Sequence, residues 1–138
     1  MVANHSQMLK GSRFIWYYWT QVISSKLIEN ESEFIFEGKI SSFRFLNSKA
    51  YHRRSIVKKK NSKEWTVIDE IYGLNNLEKF QIWHHDENSV VFEGLADCKE
   101  VDSKDWLSYN SSYYGMKLSG KASAFEFDRE IKTKITIN

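Results

Sequence analysis

The sequence predicts an all-β domain, an antiparallel β-sandwich of about ten strands. Three observations predict it. Short runs of β-branched and aromatic residues recur, each closed by a polar cluster of Asn, Ser, Gly or Asp, which is the rhythm of strands and turns. Helical periodicity is weak along the whole chain. Aromatic residues make up 15% of the sequence, and such side chains favour a pleated, half-buried surface.

The elements follow in order. Ser12–Ile23, SRFIWYYWTQVI, is apolar nearly throughout, as for a strand covered on both faces. SEFIFEG alternates Phe34 and Phe36 against Ile35, and after Gly38 the run ISSFRFL places Phe43 and Phe45 on one face. HRRSIV and EWTVIDEIYG are joined by the polar KKKNSKE. Trp65, Val67 and Ile71 share one face and Thr66, Ile68 and Glu70 the other, so the pair reads as a β-hairpin. Lys58–Lys60 then sit at its solvated tip, where charge guards a sheet edge. EKFQIWHH, SVVFEG, LADCKEV and SAFEFD continue the series, with a turn expected after Trp83 that Asp86 and Asn88 stabilise by local backbone bonds. One short helical turn is expected near DSKDWLSY, capped by Asp102 or Ser103. In the closing IKTKITI, Ile131, Thr133, Ile135 and Ile137 share a face opposite Lys132, Lys134 and Thr136, the one-side-buried pattern of an antiparallel sheet.

Residues 1–138 form a single domain, or a piece of a longer one, large enough to bury roughly two thirds of its unfolded surface. Net charge is +2, from 20 basic and 18 acidic residues, too balanced for a nucleic-acid partner. No apolar run approaches the roughly 18 residues of a membrane span. The opening MVANHSQMLKGSR has no signal-peptide apolar core. Cys98 is the one cysteine, which leaves no disulfide framework and no cysteine zinc site. The sequons at Asn4, Asn30 and Asn110 are read as coincidental in a chain rich in Ser and Asn.

Candidate chemistry concentrates in two places. His52 and Arg53 lie on the body of a strand, where charge needs partners. Consecutive strand residues diverge, so His52 and Arg54 share a face and Arg53 points to the other. Either an arginine pairs with Asp69 or Glu70 across the hairpin, or it meets an anionic ligand such as a carboxylate or sulfate. DWLSYNSSYYGMK gathers Trp106, Tyr109, Tyr113 and Tyr114 around small polar residues and Gly115, either as a glycan-stacking loop or as a connection pinned by aromatic plugs. His84 and His85 are adjacent, a spacing that keeps their imidazoles from converging on a metal. No nucleophile motif, phosphate loop or dinucleotide fingerprint occurs, and no cofactor or metal is expected.

Taken in order, several stretches resemble the C-terminal β-sandwich region of heparinase II/III-like polysaccharide lyases. NHSQMLKGSRFIWYYWTQ is similar to that family's Gln, Gly-x-Phe and aromatic strand. AYHRRSIVKKKNSKEWTVIDEIYG resembles its His-x-Arg strand, turn and Trp-x-Val-x-Asp strand ending at Gly. LEKFQIWHHDEN, WLSYNSSYYGMK and IKTKITI resemble the elements that follow, so the likeness spans almost the whole chain. It implies an accessory β-domain behind an α/α-toroid, in enzymes that cleave acidic, uronate-containing or sulfated glycans by β-elimination. It also implies a periplasmic or secreted setting. The family's His-Asn-Thr motif would fall just before residue 1, and VANHS does not reproduce it, so no catalytic or metal role passes to His5. His52, Arg53, Trp65, Asp69, Tyr114 and Gly115 match family positions. The expectation is a chain that lacks an active site by itself, with substrate contacts at His52, Arg53, Trp106, Tyr113 and Tyr114. The alternative is a self-standing carbohydrate-binding or structural β-module.

Overall fold

The computed structural model describes residues 2, 5–12, 15–85, 90–95, 99–101, 109–110, 118–119 and 121–138. The strands are β1 Leu9–Lys10, β2 Trp16–Tyr17, β3 Gln21–Glu29, β4 Glu33–Ser41, β5 Tyr51–Lys59, β6 Glu64–Tyr72 and β7 Lys79–His85. They continue with β8 Val90–Leu95, β9 Lys99–Val101, β10 Tyr109–Asn110, β11 Leu118–Ser119, β12 Lys121–Phe127 and β13 Glu130–Ile137. The protein is all-β and antiparallel, with no helix among the described residues. Six strands make the main sheet, in the order β3-β4-β5-β6-β13-β8, and three make a smaller one, β7-β12-β9. β1-β2 and β10-β11 are short separate pairs.

Register sorts the main sheet into two faces, because directly opposed residues share one. One line across it reads Leu27, Phe36, Ile56, Val67, Thr133. The next on that face reads Gly38, Arg54, Asp69, Ile131. On the other face Lys39, Arg53, Glu70 and Glu130 line up, as do Lys26, Glu37, Ser55, Ile68 and Lys132. The first face is apolar with a polar inset. The second is solvated.

The small sheet packs on part of the apolar face. Phe125 and Phe127 from β12 meet Ile71 and Ile131, with Val2, Phe43, Ala50 and Leu74 completing the core. Trp83 of β7 stacks on Phe92 of β8, ring centroids 5.2 Å apart. Cover is therefore concentrated over β6, β13 and β8. Toward β3 and β4 the same face stays open: Leu27 is 69% exposed, and Phe34 and Phe36 are each 38% exposed.

The hairpin expectation holds, with β5 and β6 paired from Tyr51↔Tyr72 to Lys58↔Trp65. Lys58 is still in the strand, its ammonium 5.4 Å from the Trp65 ring centroid, so the tip begins at Lys60. Gly38 does not divide two strands; β4 runs through it, paired on both sides, and the Phe36 ring folds over the space a side chain would fill there, 3.0 Å from an ideal Cβ. Phe43 is not in a strand. It takes φ 53° at the head of a turn, and its side chain goes to the core. Ser12–Ile23 is corrected more deeply. Tyr18 has φ 55° and separates β2 from β3. Most of its described residues are exposed, Trp19 at 61% and Val22 at 74%, and β3 is an edge strand rather than a central one. Ile23 is the extra residue of a bulge between Val22 and Ser24, a common device for twisting an edge. β7 continues through His85, so no turn follows Trp83 directly. Asp86, Asn88 and the helical turn expected near DSKDWLSY lie outside the described residues.

Gly73 closes the β6 end with φ 81° and only 3.3 Å between an ideal Cβ and the Ala50 Cα, so both conformation and space demand glycine there. Asn47 Nδ2 donates to its carbonyl at 2.7 Å.

The uneven cover makes a stability contrast. Phe125→Ala, at a site 2% exposed, is expected to cost about 3–5 kcal/mol. Leu27→Ala, at 69% exposure, is expected to stay within about 0.5 kcal/mol. Urea unfolding of the two variants checks this, and similar losses would contradict the half-covered face.

Candidate functional site

The polar inset on the apolar face is the densest cluster of charged and hydrogen-bonding groups among the described residues. Strand alternation puts His52 and Arg54 on the inner face of β5 and sends Arg53 outward. Asp69 stands opposite Arg54 on β6. Arg54 donates from Nε to Asp69 Oδ1 at 2.6 Å and from Nη2 to Oδ2 at 2.7 Å. His52 Nε2 lies 2.8 Å from Oδ1. From the other layer, Gln81 Nε2 donates to Oδ2 at 2.6 Å.

A second ring of contacts orients the first. Gln7 Nε2 lies 2.7 Å from His52 Nδ1, so the ring suits the Nε2–H tautomer, accepting from Gln7 and donating to Asp69. Gln81 Oε1 accepts from Trp83 Nε1 at 2.9 Å and from the Thr133 hydroxyl. The Arg54 guanidinium sits 5.3 Å from the Trp83 ring centroid, a cation–π position.

Burial is the largest single influence on the Asp69 carboxyl and by itself raises its pKa. The hydrogen bonds and charge of Arg54, with the bonds from His52, together outweigh it and hold the group well below the usual carboxylate range. Arg54 is shifted upward, first by its hydrogen bond to Asp69.

A cavity of about 150 Å³ opens beside this cluster, lined among others by Gln7, His52, Arg54, Asp69, Gln81 and Phe127. Its chemistry is that of a scaffold. Both His52 nitrogens are engaged, and Asp69 accepts four bonds, its full capacity. The exception is Arg54, whose side chain is 38% exposed while that of Asp69 is 4% exposed.

Of the expected contacts, His52 is in this cluster. Arg53 lies on the opposite face, 3.2 Å from Glu37 and 4.0 Å from Glu70. Trp106, Tyr113 and Tyr114 lie outside the described residues. His84 is exposed, whereas His85 is half-buried with Nε2 3.3 Å from Ser123 Oγ. No group of three or more His, Cys, Asp or Glu among the described residues is placed to hold a metal ion. Sequence reasoning placed Arg54 on the His52 face by parity and offered an arginine pairing with Asp69 or Glu70 across the hairpin, and Arg54 is the arginine that pairs with Asp69. Gln81 had a faint signal, an amide on the inward parity of an apolar strand. Gln7 had none. No family model matches the chain, and no curated protein or solved structure matches it.

Asp69 sets a pH dependence. A carboxylate whose folded pKa is depressed stabilises fully above its unfolded pKa, about 3.9, and loses that contribution as pH falls toward the folded value. Asp69→Asn is expected to cost about 3–5 kcal/mol at neutral pH, since the amide presents a donor to Arg54 or Gln81. The gap from wild type narrows below about pH 4. Urea midpoints from neutral pH downward check this, and a constant gap would contradict it.

Proposed function

We propose that the chain is a β-sandwich module of about ten strands that works beside a catalytic domain on acidic polysaccharides and does not itself break the glycosidic bond. The ordered motifs resembling heparinase II/III-like lyases support this reading, with an upstream α/α-toroid as partner and a periplasmic or secreted setting. β-Elimination needs a free base to take the proton beside the uronate carboxylate and a group to neutralise that carboxylate. One observation carries the reading: the His52 imidazole, the most base-like group of the inner face, has Gln7 on one nitrogen and Asp69 on the other. That leaves it a positioning part of the scaffold. In this reading the glycan follows the open apolar face beside the cavity, where Phe34 and Phe36 offer rings to a sugar.

The alternative, a self-standing carbohydrate-binding module, draws on the same open strip. The upstream reading frame separates the two: a toroid with a His-Asn-Thr motif belongs to the first, an isolated gene to the second.

The chain mixed with uronate polysaccharides is expected to be retarded in native gels while the absorbance of unsaturated product stays flat. Turnover by the chain alone would overturn the non-catalytic assignment, and no retardation with any acidic glycan would overturn the binding role.

A further inference from the structure

We propose that the outward edge of the Arg54 guanidinium is a carboxylate-reading subsite on the open inner face; this rests on the acidic-glycan reading above and names its contact. A guanidinium has two edges that match a carboxylate with paired donors. Asp69 takes the Nε/Nη2 edge, both bonds under 2.8 Å. The Nη1/Nη2 edge points away from Asp69 and has no hydrogen-bond partner among the described residues, and the side chain is 38% exposed.

Three features fix that edge before any ligand arrives. The Asp69 fork sets the plane, Trp83 backs it at 5.3 Å, and Gln81 holds both Trp83 and Asp69 from the second layer. A pre-set fork loses little rotamer freedom on binding. Its surroundings select the ligand. Gly38 is opposite Arg54 on β4, and the Phe36 ring lies over that glycine, so an aromatic ring stands at the strand position next to Arg54, toward the open strip. A pyranose ring against Phe36 directs an attached carboxylate to Arg54. Lys cannot replace this geometry. Its single ammonium is able to answer Asp69 but has no second planar edge.

The test is calorimetric titration of the full chain with a uronate oligosaccharide and with the same oligosaccharide carboxyl-reduced. Wild type is expected to bind the first at least about tenfold more tightly, the scale of a lost hydrogen bond to a charged group. Arg54→Lys is expected to lose about the same factor for the uronate, and Lys132→Ala, on the solvated face, to bind as wild type. Should Arg54→Lys fail to fold, side-chain guanidinium signals of wild-type Arg54 are followed by NMR; they are expected to shift with the uronate. Equal binding of both sugars, or unshifted Arg54 signals in the bound state, would overturn the subsite and leave glycan binding standing. Binding of neither sugar would overturn both.

Discussion

The carboxylate of Asp69 is the constraint on which the rest of the structure depends. The Asp69 side chain is 4% exposed, and an ion so placed costs several kcal/mol unless its lone pairs are met. Four donors meet them, from Arg54 and His52 on β5 and Gln81 on β7. These donors come from both layers, so the carboxylate ties the position of one sheet to the other. Gln81 extends the tie to Thr133 on β13, and Gln7 secures the N-terminal segment through His52. A one-residue slip of β5 would put Ser55 opposite Asp69 and remove the fork, or put Arg53 there with Tyr51 in the place of His52 and remove the imidazole bond. The network specifies register where the surrounding apolar contacts, being non-directional, would tolerate several.

The solvated face works by a different rule. Lys39, Arg53, Glu70 and Glu130 form one line across it, two basic residues followed by two acidic ones, and exposed pairs such as Arg53–Glu37 contribute up to about 1 kcal/mol each. Tyr51 and Tyr72 stack at 4.9 Å, with the Lys39 ammonium 3.7 Å from the Tyr51 ring centroid. Such a surface keeps the sheet wet on one side. The inner face, by contrast, carries the directional bonds.

What the sequence revealed divides along the same line. The β5–β6 hairpin and the closing strand were legible because one side of each is buried, and alternation records that directly: Ile131 and Thr133 are buried while Lys132 is exposed. Parity separated Arg53 from Arg54 for the same reason. Ser12–Ile23 misled because a continuous apolar run has no parity to read; its place at a sheet edge is decided by what pairs with it, which no local pattern encodes. The site was half legible. His52, Arg54 and Asp69 lie within one hairpin, so turn and register bring them together. Gln81 and Gln7 arrive from elements whose approach depends on the packing of the two layers, and beyond the inward parity of Gln81 on β7 nothing in their neighbours marks their place in the cluster.

Coverage explains why the cluster has a chemical side at all. Had the second layer extended over β4 and β5, Arg54 would need partners on both edges, and the described residues offer none for the outer one. The small sheet instead reaches Asp69 through Gln81 and backs Arg54 with Trp83. Beyond that boundary Leu27 and Phe36 lie open. A buried anion therefore anchors the guanidinium, while the same guanidinium stands at the margin of an uncovered apolar strip. The fold needs the inner edge of Arg54 for its register, and the shortness of the second layer leaves the outer edge to whatever lies on the strip.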